Sequence, residues 1–503
     1  MKNIPIQDRF QIEMHSLDQM VAEQSVARLI DVFLDYVLQL DHGFKSSKRK
    51  TGRPSYPLRS LLAIYVYGYL NRLRSSRQLE HACQTNIELW WLTGKQMPCY
   101  RTICQFRVDN KVGFRKLFVH YREFCLQLDL YGRQRVAIDG SKFRAQNSKK
   151  NNFNEAKIKR QLEYIDTKTQ EYLLELDEQD EKEALSNSAG DKRLTELNER
   201  KIKYEDLRDQ LKQSGQTQVS TSDPDARALP IKMNIVEVGY NNQIAVDDKH
   251  NLLVEYEVTN ENDINALHPM AVKCKEALNL KEEDSLTTLA DKSYCKAEQI
   301  PKCHEDKIDT LVAVKDVTDR SKAAHVRKDK FEYEKQTDTY RCPNNQKLEK
   351  QSRYKKRRKG KLVSEFDRYT IKYSVCKECP YFEDCVSDAK KKSSHGRSID
   401  RSAFQDAFDL NRKNTEKRKT EYRRRQAMVE HPFGTIKRGW GFGYTLLKGK
   451  EKVGIEFSII FLCYNLRRTM TILGINGLKQ ALKSANWIVF VLRRWELAGV
   501  RKF

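Results

Sequence analysis

The stretch RVAIDGS, residues 135–141, decides how the chain reads. Val136, Ala137 and Ile138 form a short apolar run with good strand propensity. The run ends in an acid, Asp139, and Gly140 punctuates it. A second run, SLTTLA at 285–290, has the same form and is followed by Asp291. A buried strand with a carboxylate at its carboxy end puts that charge at the edge of a sheet, where α/β folds build their sites. A third acid, Glu430, closes an arginine-rich segment in YRRRQAMVEHPFGTIKRGWG, residues 422–441. If these three acids converge, they stay ionised together only when cations neutralise them. Hard oxygen ligands select Mg²⁺ or Mn²⁺, and two such ions suit an in-line phosphoryl transfer.

The neighbouring segments extend this unit. Residues 233–246 and 251–258 read as adjacent strands joined by Asp247-Asp248-Lys249-His250. Residues 263–278 read as a helix capped by Asn260 or Asn262, and 309–314 as another strand. Residues 153–214 interrupt the pattern. Ile158, Leu162, Ile165, Tyr172 and Leu176 fall at steps of four, three, seven and four, and Leu197, Tyr204 and Leu211 at steps of seven. With Ser186–Gly190 as a turn, this predicts an antiparallel helical hairpin, a coiled-coil arm. Residues 402–430 read as one long charged helix and 453–492 as apolar helices. Pro432 restricts His431 away from helical geometry, so the first of these is expected to kink or end just past Glu430.

Upstream, residues 1–130 read as helical. The apolar run SLLAIYVYGYLNRL (60–73) follows the stop Gly52-Arg53-Pro54. Short helices over 76–83, 87–92 and 100–110 carry Arg74, Arg77, Arg101 and Arg107 at or near their ends. Short helices joined by tight turns suit a helix-turn-helix-like DNA module or a plain bundle with a solvated arginine face.

Composition points to polyanions. The chain has 503 residues, 93 Lys plus Arg against 69 Asp plus Glu, and a formal charge of +24. A field of that size attracts nucleic acid first. No signal peptide is visible in residues 1–18, and no window of about 18 residues is free of charge. A soluble, cytoplasmic and nucleoid-associated protein is expected, with no membrane partner. Twelve cysteines are too few for a disulfide scaffold. Cys342, Cys376, Cys379 and Cys385 form C-x33-C-x2-C-x5-C, a set that suits a structural Zn²⁺. They lie in a basic, aliphatic-poor insertion over 316–400 that is expected to lack a core of its own. The run RYKKRRKGK (353–361) there reads as a DNA-backbone patch or a solvated loop.

Several motifs occur in one order: GRPSYP (52–57), YGYLNRLRSSRQLE (67–80), VAIDGSKFRAQNS (136–148), STSDPDAR (220–227), GYNNQIAVD (239–247), LADKSY (289–294), VEHPFGTIKR (429–438) and YNLRR (464–468). In these the chain resembles DDE-type insertion-sequence transposases, which have an RNase H-like catalytic core. The resemblance spans Gly52 to about Leu473. It implies an α/β fold: an RNase H-like mixed-sheet core (131–152 and 215–315), interrupted by the arm (153–214) and the cysteine-rich insertion (316–400). The core is completed by carboxy-terminal helices (401–503) and preceded by an all-α DNA-binding domain (1–130). It implies a catalytic, metal-binding triad of Asp139, Asp291 and Glu430 with two Mg²⁺ or Mn²⁺ ions. Lys437 stands seven after Glu430, as the family pattern has it. Gln426 stands where that pattern has Arg, and Arg425 and Tyr422 are each one place off.

Expected DNA contacts are Arg53, Arg74, Arg77, Arg101, Arg107, Lys142, Lys292, Arg425, Lys437, Arg438 and Trp440. Trp440 is a stacking platform or simply a packed aromatic. Asp223, Asp225 and Arg227 read as a structural turn. The implied partners are double-stranded DNA, as terminal inverted repeats and target, and a second copy of the chain. The alternatives are a non-catalytic DNA-binding protein, such as a decayed transposase acting as a repressor, and a metal-dependent nuclease.

Overall fold

The computed structural model describes residues 10–45, 54–147, 149–180, 188–232, 235–296, 298–314, 323–358, 361–386 and 395–497. Helices open the chain: α1 (Leu17–Met20), α2 (Val26–Val37), α3 (Leu58–Leu70), α4 (Ser76–Thr85), α5 (Ile87–Thr93), α6 (Tyr100–Asp109) and α7 (Lys111–Gln127). Strand β1 (Arg135–Arg144) and a short β2 (Asn152–Asn154) precede the helical pair α8 (Glu155–Asp180) and α9 (Ser188–Ser214). Then come β3 (Gln218–Ser220), β4 (Arg227–Lys232), β5 (Ile235–Asp247), β6 (Leu253–Thr259), α10 (Leu267–Ala277), β7 (Leu286–Ala290), α11 (Gln299–Glu305) and β8 (Ile308–Val312). The next segment holds β9 (Glu332–Glu334), β10 (Thr339–Arg341), β11 (Lys347–Arg358), β12 (Lys361–Lys372), α12 (Tyr373–Lys377), α13 (Phe382–Cys385) and β13 (His395–Ser402). Helices α14 (Gln405–Lys417), α15 (Lys419–Gly434) and α16 (Lys450–Leu497) close the chain, with a π-helical turn over Thr435–Gly439. No helix among the described residues is long and apolar enough to cross a membrane.

The chain divides into two compact units. One comprises Met1–Gly132, Gly140–Asn262 and Met428–Phe503; the other comprises Arg133–Asp139 and Asp263–Ala427.

In the first unit, β4, β5 and β6 pair antiparallel, and the outer half of β1 joins β5 through Ala145 N–H to the Val238 carbonyl at 3.0 Å. Gly239 permits this approach: a Cβ there would stand 2.0 Å from the Phe143 carbonyl oxygen, so no other residue fits without moving β1. The amino-terminal helices share a core with α16. Tyr121 bonds the Thr469 hydroxyl, and Asn465 donates to the Leu253 carbonyl at 2.9 Å while accepting from Leu253 N–H at 2.8 Å. The helices of 1–130 are thus packed into a larger body through apolar faces that α16 completes. Over the segment expected to form the arm, Glu155–Asp180 and Ser188–Ser214 are helical. Phe153, Ile158, Leu207 and Leu211 are buried at its base, with Leu162, Tyr204 and Val219 packed on them. Ser188–Gly190 belong to α9 rather than to a turn, and residues 186–187 lie outside the described residues.

In the second unit β1, β7 and β8 pair parallel, as buried apolar strands do when helices cover them. The chain is therefore α/β with both parallel and antiparallel pairing. The helix expected over 263–278 starts only at Leu267, after a 3-10 turn at Asp263–Asn265, and no asparagine caps it. The single helix expected over 402–430 is two, broken at Arg418.

The insertion corrects its sequence reading more strongly. Strands β13-β12-β11-β10-β9 form one antiparallel sheet. Its core is Phe331, Tyr340, Leu348, Tyr369, Ile371, Cys376, Val386 and Ile399. Residues 353–358 of the RYKKRRKGK run are strand β11 rather than loop, and Arg353 is paired with Asp367 at 2.7 Å.

Candidate active site

The strands fix the two aspartates. Val136, Ala137 and Ile138 are fully buried, as are Ala290 and, to 1% exposure, Leu289, which sets the depth of both strands. The register pairs Ile138 with Ala290. Asp139 and Asp291 therefore follow at the same level on neighbouring parallel strands, whose spacing is about 4.8 Å. Both acids are half-buried. Two carboxylates so close repel and favour a cation between them. One expectation is corrected: β1 does not end at Asp139 but continues through Gly140 to Arg144, so this acid sits mid-strand, where the parallel pairing ends.

Asp291 caps the 3-10 turn Lys292–Tyr294. Its Oδ1 accepts from Ser293 N–H at 2.6 Å and also from the Ser293 hydroxyl. Buried Tyr294 anchors the turn. Ser293 was missed in the sequence, although an Asp-x-Ser pattern after a strand is the signal for such a turn. Removing the hydroxyl frees the carboxylate to rotate. Ser293→Ala should lower any activity that uses Asp291 by about 10- to 100-fold, the usual cost of losing a residue that orients a ligand. Circular dichroism should remain unchanged. A variant of full activity would show that the carboxylate needs no such support.

The opposite ends of the same strands hold the start of α15. Arg418 donates to Asp309, to the Thr287 hydroxyl at 3.3 Å and to Glu421 at 2.7 Å, and Arg135 lies 3.3 Å from Glu421. The Arg135 and Arg418 guanidiniums hold the Glu421 carboxyl below the usual range, Arg418 more strongly. Sequence reading missed this network because its members lie up to 286 positions apart.

Glu430 belongs to the other unit. It is exposed on α15, while Met428, Val429, Pro432 and Phe433 are buried. The helix is expected to kink or end just past Glu430. It runs through Pro432 to Gly434 and then opens into the π-helical turn, so the proline is absorbed inside a packed helix rather than terminating it. His431 Nδ1 lies 2.7 Å from the Tyr464 hydroxyl, which donates to the Asn251 carbonyl at 2.8 Å. Burial pushes the His431 imidazole down from its ordinary value, and Arg468 adds to this, which favours the neutral ring. The histidine of the HPFG motif therefore acts here as an anchor of α15.

The expected DNA contacts fall into different settings. Lys437 donates to the Ser141 hydroxyl and the Lys142 carbonyl, both at 2.6 Å, and lies 4.2 Å from the Phe143 ring centre. It is thus tied to β1 rather than extended to solvent. Lys142 is half-buried, and Arg438 and Lys292 are exposed. Arg425 is half-buried over the Tyr422 ring, and Trp440 packs on Phe442. Arg77 and Arg101 are exposed beside Tyr100. Arg74 and Arg107 are corrections: they are 4% and 3% exposed. Arg74 pairs with buried Glu456 at 3.0 Å, and Arg107 donates to the Tyr69 hydroxyl at 2.9 Å. Neither reaches solvent, so neither can meet a phosphate. Arg53 lies outside the described residues.

Cys342, Cys376, Cys379 and Cys385 line one cavity of about 30 Å³, with Phe331 and Leu348 among its walls. That is room for one water-sized body. Burial pushes the Cys376 thiol up, and neighbouring Cys379 and Cys342 add to this. Among the described residues, no three or more Cys, His, Asp or Glu side chains stand in an arrangement that would hold a metal ion.

Comparison with known proteins gives two matches to families. Residues 15–109 match the family described as "Transposase domain (DUF772)", and residues 341–470 match "Transposase DDE domain". The second match includes Glu430 and the four cysteines; Asp139 and Asp291 lie outside both. No curated protein matches. One solved structure, "Cryo-EM structure of piggyBac transposase synaptic complex with hairpin DNA (SNHP)", is similar at 10% identity and a TM-score of 0.30, covering 93% of this chain and 81% of that one. A likeness of that size carries no argument. The two family matches, one in the amino-terminal helices and one across the segment that holds Glu430, identify the chain as a DDE-type transposase.

Proposed function

We propose that the protein binds the terminal inverted repeats of an insertion sequence, cuts the DNA at those ends and joins them to target DNA. The observation that carries this reading is the Ile138–Ala290 register, which sets Asp139 and Asp291 side by side. Glu430 is the third acid of the proposed triad. Its support is the DDE-domain match. A parallel β1–β7–β8 core is the arrangement an RNase H-like reading requires.

The donor chemistry suits Mg²⁺ or Mn²⁺, two per site: the aspartates offer hard, half-buried carboxylates, Asp291 already oriented by Ser293, and Glu430 an exposed one. When bound, these ions supply charge neutralisation and polarise the attacking and leaving oxygens. Asp139 and Asp291 would hold them, with Glu430 as the expected third ligand. Lys292 and Arg438, exposed beside two of the acids or near them in sequence, hold phosphates. Water attacks the phosphodiester at the element's end and releases a 3′ hydroxyl. That hydroxyl then attacks a target phosphodiester, so one bond forms as one breaks and no external energy source is needed. Two ends are handled together, which calls for a dimer on DNA.

The test is a supercoiled plasmid carrying candidate ends, incubated with the full chain and Mg²⁺, with EDTA as the control. Cutting and joining that EDTA stops supports the reading. Cutting without joining makes the protein a nuclease, and retarded but intact DNA makes it a binder.

Zinc on the four cysteines is proposed on their shared cavity, beside a sheet that has a core of its own. Closing four thiolates on one ion requires side-chain rotation and loss of their protons. Elemental analysis should find about one zinc per chain, and none in Cys376→Ser; a metal-free preparation with wild-type activity would remove zinc from the account.

A further inference from the structure

A groove in the first unit lies between the first turn of α7 and the first turn of α16, with a volume of about 860 Å³. Six cations line it: Lys111, Arg115 and Lys116 from α7, and Lys448, Lys450 and Lys452 from the segment KGKEK. Three acids line it as well, Asp225, Glu257 and Glu451. Asp225 accepts from Lys450 N–H at 2.8 Å, and Glu451 takes Lys111 at 2.7 Å.

The sequence builds this groove with the motif STSDPDAR, which the proposed chemistry leaves unused. Asp223 is fully buried and accepts from the Tyr240 hydroxyl at 2.7 Å and from Gly449 N–H at 3.0 Å. Together Asp223 and Asp225 cap the start of α16 and so fix the backbone from Gly449 to Lys450. The three lysines around it are exposed, and among the described residues none of them is in an ion pair. On the facing helix, Lys111 and Arg115 are four residues apart and share a face. Arg115 stacks 4.4 Å over the Tyr256 ring and pairs with buried Glu255, which makes it a rigid wall, and its Nη1 has no acceptor among the described residues. A rigid floor with unpaired cations on one rim and a braced arginine on the other suits an extended polyanion of regular charge spacing.

We infer that this groove binds the phosphate backbone of duplex DNA, as a surface separate from the carboxylate site. The inference rests on the reading of the chain as an enzyme acting on DNA. Each phosphate neutralised releases counterions and adds about 0.9 to the slope of log affinity against log salt.

The experiment is fluorescence anisotropy of a labelled duplex with the full chain from low to high salt. It compares the unsubstituted protein, Lys448→Ala/Lys450→Ala/Lys452→Ala, and a charge-matched control, Lys281→Ala/Lys302→Ala/Lys335→Ala, at exposed positions of the second unit. The groove variant should lose about 2 to 3 units of slope and bind less tightly to every sequence, while the control loses well under one. A groove variant that matches the control overturns the inference and leaves the transposase reading standing. Absence of salt-dependent binding by the unsubstituted chain overturns both.

Discussion

Asp139→Asn and Asp291→Asn should each lower strand cleavage by about three orders of magnitude or more, which at 1.36 kcal/mol per tenfold is roughly 4 kcal/mol of transition-state stabilisation. The reason lies in the paired strands. Each aspartate sits on a backbone fixed by fully buried neighbours, Ile138 on one side and Ala290 on the other. Asparagine keeps the shape and the hydrogen-bonding capacity but removes one negative charge from a site that gathers cations. Folding should be spared, because both side chains are only half-buried and no apolar contact is lost. DNA affinity should hold or rise slightly, because a repulsive charge is gone. Glu430→Gln belongs to the same series, and loss of cleavage in it as well is what its membership of the proposed triad predicts. The measurement is plasmid cleavage with Mg²⁺, alongside anisotropy on the same DNA. Wild-type cleavage by either aspartate variant would remove the carboxylate pair from the chemistry.

How far the sequence could be read depended on whether the signal was local. The apolar run after Gly52 predicted a helix over 60–73 that the structure places at Leu58–Leu70, because one segment contains both its apolar face and its stop. The strand before Asp291 was equally legible. The strand after Asp139 was not: Gly140 looked like punctuation, yet the chain continues because β5 supplies a second partner for β1 through the gap left by Gly239. The sheet of 332–402 escaped notice for a related reason. Its core residues, from Phe331 to Ile399, are scattered over strands, helices and turns with polar residues between them, so no apolar run marks them. Arg74 and Arg107 looked like surface cations because arginine is seldom buried unless paired, and the acid that pairs with Arg74 is 382 positions away. Of the candidate site, the two aspartates could be read from strand patterns, whereas Ser293, the Arg418–Glu421 network and the role of His431 depend on contacts.

The buried pair of Arg74 and Glu456 gives the largest expected effect on stability. Glu456 is fully buried, accepts from Leu446 N–H at 2.9 Å and Leu447 N–H at 3.2 Å, and faces Arg74 at 3.0 Å. Arg74 also donates to the Tyr444 carbonyl at 2.6 Å and lies 4.6 Å from the ring centres of both Phe442 and Tyr444. One ion pair therefore fastens the loop after the π-helical turn to the helices of the first unit. Arg74→Ala leaves a buried carboxylate without its partner and should destabilise by about 3 to 5 kcal/mol.

The pH dependence separates this account from simple loss of packing. Burial pushes the Glu456 carboxyl up, against the pull of Arg74 and then of Arg107. Without Arg74 it rises further. A carboxyl whose folded value lies above its unfolded one favours the folded state at low pH, and that advantage is lost as pH rises through the folded value. The gap in melting temperature between Arg74→Ala and the unsubstituted protein should therefore be wide near pH 8 and should narrow as the pH falls and Glu456 takes up a proton. Arg74→Ala/Glu456→Gln should recover part of the loss at pH 8, because no buried carboxylate is left without its arginine. If the gap did not change with pH and the double variant were no better than the single one, the arginine would be acting through its stacking on Phe442 and Tyr444 and not through its charge.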